Sequence, residues 1–403
     1  MLTLDLLDDA RAIADRIVAL RRAIHAEPEL GLHTPLTRDK VRAELADIDL
    51  EWREGGATTG AVAVLKGARP GPSVLLRGDM DALPMDELTG LAFASTIPGR
   101  MHACGHDTHT AMLAGAARIL AARRGDLGGE VRFMFQPGEE GFHGARFMLE
   151  DGLLGGQGDW PLPEAAFALH IFPNAPHGMI GSRDGALLAA ADMLEIVVTG
   201  RGGHASMPHD TRDPVPAAAE IVTALQALVT RRFAASEAMV VTITQMEAGS
   251  AHNVIPDTAR LKGTIRTLSP ERRAAIREAI ERLAAGIASA HECTADVTVT
   301  EGFPVTINDA RAVTLGETVA QGLGGTPAFH RLAEPIMGAE DFSYVLEKVP
   351  GAMFFLGVAE AGADWQHCCG IHSSKMMVDE SVLPKGAAFL AGCAARYLEN
   401  GWD

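Results

Sequence analysis

The chain has 403 residues, 47% of them hydrophobic, enough for a large core and, at ~100–200 residues per domain, for two or three domains. A net charge of -17 and a pI near 5.3 weigh against nucleic acid or an anionic membrane surface as partner, because either repels an acidic protein at long range. Five cysteines (Cys104, Cys293, Cys368, Cys369, Cys393) form no paired framework, and this odd count predicts a reducing compartment, the cytoplasm by default.

The first residues, Met1-Leu-Thr-Leu-Asp-Leu-Leu-Asp-Asp9, are acidic where a signal peptide needs a basic region, and no unbroken apolar run reaches the ~20 residues of a membrane span. Ile13, Ile17, Leu20 and Ile24 recur at helical spacing, so one amphipathic helix is predicted over 4–26, ended by Glu27-Pro28-Glu29-Leu30-Gly31. A helix over 36–45 and a strand over 60–66 follow. Ser73 to Gly78 reads as a buried strand that delivers Asp79-Met80-Asp81 at its C-terminal end, where α/β sheets build active sites.

Next comes His102-Ala-Cys-Gly-His-Asp-Thr-His109. A thiolate and an imidazole two residues apart, Cys104 and His106, suit Zn²⁺ or a similar transition metal, so the segment reads as half of a metal site. A histidine-rich helix start that merely caps or packs is the alternative, and further ligands must come from elsewhere. After a helix over 111–124, the strand 130–135 runs into Gln136-Pro-Gly-Glu139-Glu140-Gly141. Solvated turn glutamates are the plain reading of any Glu-Glu pair, but glycines and a preceding apolar strand favour a site. The strand 165–170 ends in His170, a ligand or a satisfied core imidazole.

From about Ala189 the pattern changes to strand 193–200, helix 214–233, strands 238–247 and 259–268, helix 270–290 and strand 295–300. This is the βαββαβ order of a ferredoxin-like unit. It carries His204, Asn253 and Arg266, polar groups suited to holding a substrate. Beyond Pro304 a helix over 310–323, the strand 352–356, Gly370-Ile371-His372-Ser373-Ser374-Lys375 and a last helix over 384–398 restore the α/β pattern. The expected architecture is an α/β sandwich catalytic domain, 1–188 and 302–403, with a ferredoxin-like domain, 189–301, inserted in it.

Asp79-Met-Asp-Ala-Leu-Pro84, His102-Ala-Cys-Gly-His-Asp107, Gly138-Glu-Glu-Gly141, Leu169-His170, Gly203-His204-Ala205, Asn253-Val-Ile-Pro256, Gly338-Ala-Glu-Asp341 and His372-Ser373-Ser374 together resemble the aminoacylase and carboxypeptidase family of dinuclear metallohydrolases, in its hippurate hydrolase and auxin-conjugate amidohydrolase branch. The similarity covers nearly the whole chain, in order. It implies two divalent ions, zinc first and manganese second, held by Cys104, His106, Glu140, His170 and His372, with Glu139 as general base. Asp81 matches the family's orienting aspartate. Where the wider family has a His-X-Asp element this chain has Asp79-Met80-Asp81, so Asp79 and the bridging ligand are left open.

His102, His109, His143 and His177 match no ligand and are expected to support the site or the fold. The resemblance further makes the inserted domain a lid through which a homodimer forms, with the counterpart of His204 reaching the partner's site to bind the reacting carbonyl. Asn253 and Arg266 match positions that hold a substrate carboxylate, although Arg266 reads equally as a surface arginine on a strand. The implied reaction is hydrolysis of small N-acyl-L-amino acids. A carboxypeptidase or dipeptidase on the same site, or a non-catalytic metal- or ligand-binding relative, are the alternatives.

Overall fold

Four buried strands run parallel at the centre of an eight-stranded sheet, in the spatial order Gly128–Gln136, Arg69–Asp79, Ala165–Phe172, Gly351–Gly357. The computed structural model describes residues 2–158, 160–234, 236–324, 328–367 and 369–403, so Cys368 lies outside the described residues. Every residue of Gly351–Gly357 and all but the last of Ala165–Phe172 are buried, as strands covered on both faces must be. Antiparallel strands flank the four: Ala61–Lys66 and then Glu51–Glu54 on one side, Ile180–Ser182 on the other, to which Phe329–Arg331 adds in parallel. The result is a mixed α/β fold, as the alternation of helices and strands implied.

The chain divides into two compact units. The first comprises 1–187, 307–334 and 341–403, the second 188–306 and 335–340. In the second unit the chain order is strand Ala190–Thr199, helix Pro214–Arg232, strands Met239–Ala248 and Thr258–Thr267, helix Pro270–Ala290, strand Thr294–Thr300. These strands pair antiparallel in the spatial order second, third, first, fourth. Both helices begin at proline after a capping side chain, Asp213 accepting from the Val215 amide and Ser269 from the Arg272 amide.

Two of the boundaries that differ from expectation matter to the site. The opening helix is two helices, Leu2–Ala12 and Ala14–His25, separated by Ile13 at φ -111°. The break lets the first pack on the last helix, Leu383–Asn400, and the second on His106–Ala122. The latter helix starts five residues earlier than the predicted 111, at His106, because Gly105 turns the chain at φ +83°. A Cβ at Gly105 would stand 2.5 Å from Ile171 Cδ1, so only glycine makes this turn. His106 and His109, three residues apart, therefore share one helix face.

Among the described residues no helix is long and apolar enough to cross a membrane. Helix Ala14–His25 is fastened to His106–Ala122 by buried charge: Arg21 Nε lies 2.7 Å from Asp107 Oδ2, and His25 bridges Asp107 Oδ2 (2.8 Å from Nδ1) and Glu87 Oε1 (3.1 Å from Nε2). Burial opposes a charge on His25, but Asp107 and Glu87 outweigh it and raise the imidazole to about 9. A histidine raised on folding stabilises fully below its unfolded value of ~6.5 and loses that contribution as pH climbs through its folded value. Urea unfolding at a series of pH values is expected to show stability declining between pH ~6.5 and 9, with a flatter decline in His25→Gln.

Candidate metal centre

The carboxyl ends of the parallel strands are where the chemistry-bearing residues of the first unit gather, as open α/β sheets dictate. Strand Arg69–Asp79 ends in Asp79, with Asp81 two residues on. Strand Gly128–Gln136 leads into Glu139 and Glu140, and Ala165–Phe172 carries His170. Cys104 and His106 straddle the Gly105 turn. His372 arrives from a loop at φ +62°, its amide donating to the Ala103 carbonyl at 2.7 Å. A left-handed backbone at a histidine costs on the order of 1–3 kcal/mol and concentrates at functional sites.

Donor atoms of Cys104, His106 and His170 lie within 4.8 Å of one another, and so do those of Cys104, Glu140 and His372. Cys104 is common to both groups. A third group joins His106, Glu139 and Glu140. Specific distances are 3.4 Å from Cys104 Sγ to His170 Nε2, 3.2 Å from His372 Nε2 to Glu140 Oε1, and 4.0 Å from His106 Nε2 to Glu140 Oε1. The five expected ligands thus converge. His170 donates from Nδ1 to the Ile171 carbonyl at 2.6 Å, which turns Nε2 toward Cys104 as an acceptor.

One carboxylate arranges the glutamates. Asp81 accepts the Glu139 amide at Oδ1 (2.9 Å) and the Glu140 amide at Oδ2 (3.0 Å), so the pair is clamped at its backbone. Asp81 Oδ1 also stands 3.5 Å from His106 Nδ1. Neither ring nitrogen of His106 makes a hydrogen bond, although both are buried. Each such orphan costs roughly 1–3 kcal/mol, and a divalent cation removes the cost; thiolate, imidazole and carboxylate donors suit Zn²⁺ or a neighbouring transition metal. Charge agrees with this fit. Burial pushes the Cys104 thiol up, and Cys104 and Glu140 together hold the His372 proton up to about 10, the behaviour of a site with an excess of anionic donors.

Asp79, His106 and His109 form another cluster within ligand range. His109 is not free to join it as a ligand, since Nδ1 donates to Asp79 Oδ1 (2.7 Å) and Nε2 accepts the Ile171 amide (2.8 Å). His143 bonds the Tyr344 hydroxyl (2.8 Å) and His177 the Ala359 carbonyl (3.0 Å). His102 is buried and pushed down to about 3 by that burial, so it is neutral. Sequence reasoning assigned no role to Arg77, Gln136 or Asp341, which interlock beneath the centre: Asp341 accepts from Arg77 (3.1 Å), Gln136 (2.7 Å) and the Ala145 amide (2.9 Å). An arginine inside the apolar run Val74-Leu75-Leu76-Arg77 was the signal, because a charge there needs a buried partner.

In the second unit, His204 lies on a two-residue strand paired with Val254, and the Ala205 amide donates to the Asn253 carbonyl, so His204 and Asn253 are neighbours. The Ser206 amide donates to His204 Nδ1 at 3.1 Å with the Ser206 hydroxyl at 2.8 Å from the same atom, which leaves Nε2 to carry the proton. Arg266 is not with them. It sits at the opposite end of Thr258–Thr267, paired with Ala191, whereas Thr258 pairs with Thr199 near the His204 end. Eight residues of strand at ~3.3 Å each separate the two ends by roughly 26 Å.

Residues 75–396 match the model of Peptidase family M20/M25/M40. The chain belongs to that family and is a metal-dependent hydrolase. It is 38% identical to an N-acetylcysteine deacetylase from Bacillus subtilis over 97% of this chain and 99% of that one. It is 40% identical to IAA-amino acid hydrolase ILR1-like 2 of Arabidopsis thaliana over 96% of this chain and 86% of the relative. The crystal structure of a dinuclear metal-binding M20 peptidase from Bacillus subtilis superposes with a TM-score of 0.83 at 35% identity, covering 97% of this chain and 99% of the other.

Cation binding here has to displace the His372 proton. In chelator-stripped protein the affinity for Zn²⁺, measured by competition with a chromophoric chelator, is expected to rise with pH toward 10, by up to about tenfold per unit from this proton alone. A pH-independent affinity would remove His372 from the ligand set.

Proposed function

We propose that this protein hydrolyses the amide bond of small N-acyl-L-amino acids, releasing a carboxylic acid and the free amino acid. The observation that carries the reading is the backbone clamp of Asp81 on Glu139 and Glu140, which sets two carboxylates side by side among Cys104, His106 and His372. Cys104, His106, Glu140, His170 and His372 would hold two divalent ions, zinc first and manganese second. Bound there, the ions lower the pKa of a water toward ~7 and polarise the scissile carbonyl. A free, buried thiol at Cys104 fits a reducing compartment such as the cytoplasm.

Amide hydrolysis then needs a proton moved from the water to the leaving nitrogen, and an oxyanion stabilised. Glu139, 7% exposed and fixed through its amide, takes that proton and returns it to the nitrogen. His204, with Nδ1 occupied by Ser206, offers Nε2–H to the developing oxyanion. Asn253 and Arg266 bind the α-carboxylate by charge-assisted hydrogen bonds. Because Arg266 and the His204–Asn253 pair lie at opposite ends of the second unit's sheet, one copy cannot bring both to one small substrate. This supports a homodimer in which the second unit of one copy supplies His204 and Asn253 to the site of its partner.

The names of two relatives support an acylated amino acid as substrate, an N-acetylcysteine deacetylase and an IAA-amino acid hydrolase; the similarity to an M20 peptidase supports a second reading, cleavage of unblocked peptides. Metal-reconstituted protein assayed against N-acetyl and N-benzoyl amino acids beside free dipeptides is expected to favour the blocked compounds and to lose activity on chelation. Preference for dipeptides establishes the second reading instead. Glu139→Gln is expected to lower kcat by roughly 10²–10⁴ with metal content unchanged, read by steady-state kinetics and elemental analysis.

A further inference from the structure

We infer that Asp79 and His109 form a positioning pair that sets the spacing between the Cys104–His106 segment and His170, and that Asp79 is not itself a metal ligand. The inference rests on the reading of Cys104, His106 and His170 as ligands. Asp79 is fully buried, and both of its carboxylate oxygens have partners. Oδ1 accepts His109 Nδ1–H at 2.7 Å, Oδ2 accepts Arg77 Nη1 at 2.6 Å, and the Thr110 hydroxyl donates to the Asp79 carbonyl at 2.5 Å. Oδ2 reaches no closer than 3.5 Å to His106 Nε2.

His109 completes the strut. It lies one turn beyond His106 on the same helix face, and its Nε2 takes the amide of Ile171, the residue after His170. Since that nitrogen is an acceptor, the ring is neutral with its proton on Nδ1, directed at Asp79. Three bonds thus tie three elements: strand Arg69–Asp79, the first turn of His106–Ala122, and the end of Ala165–Phe172. Close packing confirms how tightly the turn sits, because a Cβ at Gly78 would stand 2.8 Å from the His109 carbonyl oxygen. A shift of this turn moves Cys104 and His106 relative to His170, whose Nε2 stands 3.4 Å from the Cys104 sulfur. Outer partners that orient ligands typically carry about 10–100-fold in metal affinity.

The test is a Co²⁺ titration of chelator-stripped, full-length protein, following the thiolate-to-cobalt charge-transfer band and calorimetric stoichiometry, with apo melting recorded alongside. Wild-type protein is expected to take up two equivalents; if it takes up none, the metal reading itself falls and takes the inference with it. Asp79→Asn keeps the shape of the side chain, His109→Asn keeps a donor for Asp79, and His109→Gln keeps an acceptor for the Ile171 amide, so failure of one variant to fold leaves the others. Each is expected to bind two equivalents about 10–100-fold more weakly with the charge-transfer band retained. Asp79→Asn binding a single equivalent would make Asp79 a ligand and overturn the inference. Lower apo melting with wild-type cobalt affinity overturns it as well, since the pair would then be structural only.

Discussion

Buried negative charge around the carboxyl ends of the parallel strands is the constraint on which the rest of the first unit depends. Asp79, Asp81, Asp107, Glu139 and Asp341 are all nearly inaccessible to solvent, and an isolated carboxylate in such a place costs several kcal/mol. The protein compensates them by different means. Asp79 and Asp341 share the Arg77 guanidinium, Asp107 is held between Arg21 and His25, and Asp81 is satisfied by two backbone amides. What this compensation does not reach is the layer above, where neither buried ring nitrogen of His106 makes a hydrogen bond. A site that balances every supporting charge and leaves its donors unsatisfied is organised for cations.

The same arrangement supports the proposal that two neighbouring glutamates have different duties. Their amides are held by the two oxygens of one carboxylate, so the turn cannot rotate without losing two hydrogen bonds to a charged acceptor, each worth ~1.5–3 kcal/mol. Glu140 falls in with Cys104 and His372, while Glu139 lies with His106 and Glu140 in a separate group. Their backbone placement is set by Asp81, two residues past a different strand. The second unit contributes another kind of order. Its antiparallel register keeps His204 and Asn253 together and Arg266 a strand's length away.

Much of this was legible in residue order. Alternating apolar runs and amphipathic stretches marked the α/β pattern, and a βαββαβ succession marked the inserted unit, because periodicity reports which face of an element is buried. Cys104-Gly105-His106, Glu139-Glu140 and the single histidines at 170 and 372 marked candidate metal donors through their residue types. Local reading failed where the backbone is governed by a distant contact. It ran one helix through Ile13, where packing on two different helices breaks it, and it began another at 111, past the Gly105 turn that gives His106 and His109 one face.

By itself, then, the sequence determined the kinds of element, their order and an inventory of donors, since these depend on side-chain chemistry and short-range spacing. Only the tertiary structure decided which donors meet, that Asp79 and His109 are occupied by Arg77 and by the Ile171 amide, and that Arg266 stands apart from His204. Those outcomes depend on strand order, register and the approach of glycine backbone to neighbouring elements, and such long-range terms leave no local pattern for a reader of the chain to find.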